Sequence, residues 1–101
     1  HCAWFFASAA AVGAMTRAMA AEWAKDRIRI LDVAPGYIET DLNRDYLSRE
    51  KVQQWLARRI PVGRPGTVSE VARLVGLLFA EDIPFLTGET ITIDGGQGHN
   101  H

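Results

Sequence analysis

Only one cysteine, Cys2, occurs in the chain, so no disulfide can form within it. That excludes the cross-linked scaffolds of small secreted proteins and fits a reducing, cytoplasmic setting. Net charge is nearly absent too: 11 Lys and Arg stand against 12 Asp and Glu, a formal balance of −1. Clustered Lys and Arg draw nucleic acid and anionic membranes, and this balance gives no case for either partner. Nowhere does an apolar run reach the length of about 18 residues that a membrane span requires. The apolar start has no basic flank of the signal-peptide kind and continues in helical phase into Arg17, Glu22, Lys25 and Asp26. The chain begins at His1 rather than Met, and the expectation is a processed or cleaved piece. The sharpest gap lies inside that start: across the twelve residues from Ala3 to Ala14, no side chain can ionise.

What is present is ordinary for a globular protein. Hydrophobic residues make up 48% and charged residues 23%, which sets disordered and fibrous classes aside. From Trp4 to Lys25 the larger residues Phe5, Val12, Met15, Met19 and Trp23 recur at helical steps with Ala, Gly and Ser between them. So much small surface predicts a helix approached closely on more than one side, by a sheet and by another helix. Ile28 to Ala34 is β-branched and apolar enough for a buried strand, stopped by Pro35-Gly36. Two weaker helical patterns follow, the second with Ser48 as N-cap, ahead of Val52, Trp55, Leu56 and Arg59. After a Pro/Gly loop, Thr67 and Glu70 have capping-box spacing at the head of a helix with Val68, Val71, Leu74, Val75, Leu78 and Phe79 on one face. Glu89 to Asp94 reads as a closing strand.

Two apolar strands joined by a long helical crossover predict a parallel pair. Parallel sheets are covered on both faces and usually hold more than two strands. The fold class is therefore α/β, the end of a doubly wound parallel sheet whose first strands are absent, in one partial domain spanning residues 1–101.

Three segments, ASAAAVGAMTRAMAAEWAKDRIRILDVAPGYIETDL, RIPVGRPGTVSEVARLVGLLFAED and FLTGETITIDGG, resemble the consecutive C-terminal blocks of the short-chain dehydrogenase/reductase family, in order and at the family's spacing. The likeness is greatest to the classical subgroup that includes 3-oxoacyl-carrier-protein reductases. It implies a Rossmann-like fold and NAD(P)-dependent hydride transfer between carbonyls and alcohols. The family's first helix here carries a Tyr-x-x-x-Lys pair, and aligning Ala7-Ser8 and Ala10-Ala11-Val12 places its Tyr at Phe5 and its Lys at Ala9. A spacing of four sets two side chains on one helical face, where an ammonium can lower a phenol's pKa from near 10. Phe5 has no proton to give and Ala9 no charge. No Tyr precedes Tyr37, so no shift of register restores the pair. A lost acid–base group costs roughly 10²–10⁴-fold in rate, so the chain is expected to be inactive as it stands.

The resemblance also implies that Pro35, Gly36, Ile38 and Thr40 are cofactor-binding. Pro35 and Gly36 shape a turn, the Ile38 backbone pairs with the nicotinamide carboxamide, and the Thr40 hydroxyl reaches the carboxamide or phosphate. The bland reading of the same residues is a strand-ending turn with Thr40 and Asn43 starting a helix. The family's Gly-rich pyrophosphate turn and catalytic Ser lie upstream of this segment. NAD or NADP is thus the cofactor by resemblance, and this chain alone is not expected to hold it. His99 and His101 with His1 and Cys2 lack the spacing of a zinc site and read as a polar tail, so no metal is expected. Arg58, Arg59 and Arg64 read as a surface cluster flanking a loop, in preference to a contact for an anion such as an acyl carrier or a cofactor phosphate, and Trp23 and Trp55 as packing residues, although an exposed Trp55 would point to a substrate lid. Oxidoreductase segment, non-catalytic assembly or regulatory subunit, and engineered or cleaved fragment are the three functional readings. A homo-oligomer or a complementing N-terminal half is the expected partner.

Overall fold

The computed structural model describes the backbone of residues 2–99 and the side chains of residues 11–98. Helix α1 (Cys2–Trp23) runs into a 3-10 turn (Ala24–Asp26), followed by β1 (Asp32–Pro35), β2 (Ile38–Glu39), α2 (Arg44–Leu47), α3 (Glu50–Arg59), β3 (Gly66–Thr67), α4 (Val68–Ala80), β4 (Thr90–Ile93) and a final 3-10 turn (Gln97–His99). The chain divides into two compact units, residues 1–33 with 82–91 and residues 34–81 with 92–101.

In the first unit α1 is a long helix because Ala dominates it and neither Pro nor an N-terminal charge interrupts it. It ends in a Schellman arrangement: Ile28 N–H donates to the Trp23 carbonyl at 3.3 Å and Arg27 N–H to that of Ala24 at 3.0 Å. Arg27 takes the left-handed position, φ 62°, where Gly is usual. The buried stripe of α1 is made of small residues, Gly13, Thr16 and Ala20, at helical spacing. A Cβ built on Gly88, at φ +77°, would lie 3.3 Å from the Ala20 Cβ, and one on Gly13 would lie 3.6 Å from Thr90 Oγ1. Close approach is found on this one small face; the second close side expected from composition is not seen among the described residues. The larger Val12 and Met15 stay 45% and 58% exposed.

The expected strand 28–34 narrows to β1, for a local reason. Ile30 N–H donates to the Thr87 hydroxyl at 3.0 Å while the Ile30 carbonyl accepts from Gly88 N–H at 2.8 Å, so a side chain replaces one backbone rung there. Strands β1 and β4 are neighbours. Asp32 N–H donates to the Glu89 carbonyl in the first unit and Gly36 N–H to that of Ile93 in the second, both at 3.0 Å. Partner positions advance together along both chains, as a parallel pair requires. The α/β class holds.

The second unit adds what the sequence reading did not contain, a second parallel pair with Ile38 opposite Gly66 and Glu39 opposite Thr67. Its core is Leu47, Leu56 and Ile60, with Leu56 1% and Ile60 2% exposed and Val52 packed against them. Ser48 is not the N-cap of α3. It closes α2, its hydroxyl donating 2.7 Å to the Asp45 carbonyl, and Arg49 stands at the N-cap without a side-chain bond. A serine offered a carbonyl three residues back takes it in preference to a downstream amide. Helix α4 does begin with the full capping box, Glu70 N–H donating to Thr67 Oγ1 at 3.1 Å and Thr67 N–H to Glu70 Oε1 at 3.0 Å. None of its residues is fully buried, and Phe79 is 85% exposed.

Candidate functional site

The expected site divides between the two units. Phe5 and Ala9 lie on α1, one helical turn apart along the backbone, and their side chains fall outside the described residues. Pro35, Gly36, Ile38 and Thr40 all belong to the second unit, at and beyond the carboxyl end of β1, where open α/β sheets place their ligands.

Gly36 is required by contact rather than by dihedral angle. A Cβ there would meet the Cβ of Asp94 at 2.7 Å and its Cα at 3.0 Å, with the Gly36 N–H already bonded to Ile93. The chain can turn here only because position 36 has no side chain. Asp94 is itself fixed, its carboxylate accepting from Gly96 N–H at 2.9 Å and Gly98 N–H at 2.8 Å.

Past the turn, β3 acts as a template for the next two residues. Gly66 N–H donates to the Tyr37 carbonyl at 2.8 Å. In a parallel ladder one residue's partners are the carbonyl before and the amide after its opposite number, so the N–H and C=O of Ile38 face the open edge, away from β3. There the Ile38 carbonyl accepts from Asn43 Nδ2 at 2.9 Å, and the Asn43 Oδ1 accepts from Thr40 N–H at 2.7 Å. Asn43 thus spends both ends of its amide on the loop and leaves α2 without a side-chain cap. A carbonyl has two lone pairs, so the open edge still offers one N–H donor and one acceptor site from a single residue. That is the hydrogen-bonding complement of a primary carboxamide, and the residues present fit the nicotinamide end of a dinucleotide. The Thr40 hydroxyl bonds to none of the described residues.

Template strand β3 is held in turn by Arg64 and Glu70. Arg64 NH1 lies 2.9 Å from Glu70 Oε1 and NH2 3.1 Å from Oε2, a two-pronged pairing. The Arg64 guanidinium and then the Thr67 N–H hold the Glu70 carboxyl down to about 2. Arg64 is therefore committed to Glu70 rather than displayed as part of a loose cationic cluster. Gly66 sits between these partners, and a Cβ on it would come 2.8 Å from Ile38 Cδ1. A cavity of about 190 Å³ borders Tyr37, Ile38, Arg64 and Glu70, below the range of about 300–1,000 Å³ usual for small-molecule sites.

Asn43, Arg64, Gly66 and Glu70 were not among the residues expected to build this loop. A signal existed for Asn43, three residues after Thr40, and it pointed to a helix start instead. Among the described residues there is no group of three or more His, Cys, Asp or Glu side chains able to hold a metal, and no helix long and apolar enough to cross a membrane.

Comparison with known proteins speaks to the family and the fold. The family model for enoyl-(acyl carrier protein) reductase matches residues 1–97. The 3-oxoacyl-[acyl-carrier-protein] reductase MabA of Mycobacterium bovis is 41% identical over 97 residues, 96% of this chain and 38% of MabA. A tropinone reductase homologue of Arabidopsis thaliana is 44% identical over 86 residues, 85% of this chain and 33% of its own length. Among solved structures, 4-hydroxyisoleucine dehydrogenase complexed with NADH superposes with a TM-score of 0.86 at 27% identity, over 94% of this chain and 39% of that one. Gluconate 5-dehydrogenase from Burkholderia cenocepacia, in complex with NADP and tartrate, gives 0.75 at 37% identity, over 89% and 35%. The chain spans little more than a third of the length of the relatives it matches.

Proposed function

Because this chain belongs to the short-chain dehydrogenase/reductase family and is similar to its 3-oxoacyl-carrier-protein reductases, we propose that residues 1–101 are the C-terminal, nicotinamide-side segment of an NAD(P)-dependent oxidoreductase of carbonyls and alcohols. The single observation that carries the proposal is the open edge of β2, where the Ile38 N–H and the Asn43-tethered Ile38 carbonyl stand side by side. A bound nicotinamide dinucleotide supplies or accepts the hydride in such chemistry. This chain's part is to hold the carboxamide against Ile38, to offer the Thr40 hydroxyl beside it, and to keep the Pro35-Gly36 turn from relaxing. NADH and NADP in the two structural relatives support a cofactor of this kind.

The segment does no proton transfer as it stands, since Phe5 and Ala9 fill the acid–base positions. Its partner is a complementing N-terminal half or further copies of the chain, and its setting is the cytoplasm. The 58% exposure of Met15 and 85% exposure of Phe79 favour a covered surface over a lone monomer, which also supports the second reading, a non-catalytic assembly subunit.

Calorimetry and nicotinamide fluorescence with NADH and NADPH test this reading, first on the chain alone and then with the N-terminal portion of a full-length relative added. Binding is expected only in the mixture, with negligible alcohol oxidation. Phe5→Tyr with Ala9→Lys should then raise turnover in the mixture by roughly 10²–10⁴-fold. Robust nicotinamide-linked oxidation by the unaltered chain alone would overturn the proposal.

A further inference from the structure

The last turn of the second unit, residues 94–98, begins with the half-buried Asp94. Its Oδ1 accepts from Gly96 N–H at 2.9 Å and its Oδ2 from Gly98 N–H at 2.8 Å, while its backbone carbonyl accepts from Gln97 N–H at 3.3 Å. Hydrogen bonds to an ionised carboxylate are roughly twice as strong as neutral ones. The side chain that opens the turn therefore also holds it shut.

The closed turn reaches the Ile38 edge along two routes, both inside the second unit. Along the first, the Ile93 carbonyl accepts from Gly36 N–H at 3.0 Å, and Asp94 lies so close that a Cβ on Gly36 would come 2.7 Å from its Cβ. Along the second, the Gly95 carbonyl accepts from Val62 N–H at 3.1 Å. Val62 leads into β3, whose Gly66 N–H donates to the Tyr37 carbonyl at 2.8 Å. The turn itself stands on the core: a Cβ on Gly95 would come 2.7 Å from Ile60 Cγ2, and Ile60 is buried. One carboxylate thus stands behind both the bend that precedes Ile38 and the strand that lies opposite it.

We propose that Asp94 is a positioning residue for the nicotinamide contact. Its carboxylate keeps the 94–98 turn closed, and the turn keeps the Pro35-Gly36 bend and the root of β3 in the register that leaves the Ile38 N–H and carbonyl at the open edge. The inference rests on the reading of Ile38 as the carboxamide contact. Asp94 touches no ligand in this role and acts through the backbone of its neighbours.

Asp94→Ala keeps the Cβ that abuts Gly36 and removes only the carboxylate, whereas Asp94→Asn keeps one acceptor of the two. In the full chain, amide exchange at Gly36, Val62 and Gly66 should quicken about tenfold in Asp94→Ala and by less in Asp94→Asn. The Ile60 amide, bonded to the Leu56 carbonyl, should stay slow. In the mixture with the N-terminal portion of a full-length relative, the Ala variant should bind NADH about tenfold more weakly and ADP-ribose, which lacks the nicotinamide, as well as before. Should the Ala variant fail to fold, Asp94→Asn carries the same test with a smaller effect. Faster exchange confined to Gly96 and Gly98, or spread evenly over the chain, would overturn the proposal, as would equal weakening of NADH and ADP-ribose. If NADH fails to bind even the unaltered mixture, the cofactor reading falls, and the exchange pattern alone decides whether Asp94 holds the Ile38 edge in place.

Discussion

Residues 3–14 and residues 35–43 make an instructive pair. Under the proposed function both fall where the family keeps functional groups, and they would keep that function by different means. On the proposed alignment the first stretch owes its chemistry to two side chains, and a phenyl ring and a methyl group in their places would leave nothing there that moves a proton. The second would act through backbone groups, which every residue but proline carries whole. What matters there is where the backbone is held, and that is decided by neighbours: Asp94 against Gly36, Gly66 against Ile38, Asn43 across the loop. Catalytic side chains can vanish in two substitutions, whereas a backbone site persists as long as its scaffold does.

The two glycines give the sharpest way to break that comparison. Ala at 36 must displace the Cβ and Cα of Asp94, part of a fixed strand end, whereas Ala at 66 meets only the tip of the Ile38 side chain, which can rotate away. Gly36→Ala should destabilise the chain by about 3 kcal/mol and Gly66→Ala by about 1 kcal/mol, within the range for overpacking. Urea unfolding followed by circular dichroism measures both. Equal losses would mean that the Asp94 contact does not hold the turn.

Asn43→Ala comes next. It leaves the Thr40 N–H and one lone pair of the Ile38 carbonyl without partners, at a cost of about 1–2 kcal/mol if water reaches them poorly. Amide exchange at Thr40 should quicken while exchange at Gly66, bonded to Tyr37, stays slow. Asn43→Asp keeps the acceptor for Thr40 and loses the donor to Ile38, so it should protect the Thr40 amide and still loosen the loop. If both amides quicken together, the loop and β3 open as one unit and the side chain is not a separate tether.

How far these features were legible depends on how local their causes are. Helix α4 and its cap were readable because Thr67 and Glu70 are three residues apart and act on each other. The strands β1 and β4 were readable as apolar β-branched runs, with ends misplaced where the Thr87 hydroxyl substitutes for a backbone group. Strands β2 and β3 were not, since two residues each carry no periodicity and their pairing joins positions 38 and 66, far apart in the chain. The missed caps share one cause: Ser48 and Asn43 have the residue types of helix starts, and each turned its side chain to a backbone group behind it. Of the loop, Pro35, Gly36, Ile38 and Thr40 were singled out by resemblance alone, while the residues that brace it became visible only once partners distant in sequence stood within hydrogen-bonding distance.

The smallest effect concerns the brace itself and is read by pH. Glu70 titrates near 4.5 when unfolded and near 2 when folded, because Arg64 and the Thr67 amide favour its charged form. A depressed folded pKa means stabilisation that is fully present above pH 4.5 and lost as pH falls towards 2. The pair is solvent-exposed, so the loss is shallow and weakens further with added salt. The difference in stability between the unaltered chain and Glu70→Gln should therefore shrink across that window and stay flat above it. Arg64→Met should move the Glu70 titration, followed by carboxyl NMR, back towards 4.5. A difference that does not change with pH would show that Glu70 braces β3 through its fit alone, and the backbone site would then owe nothing to charge.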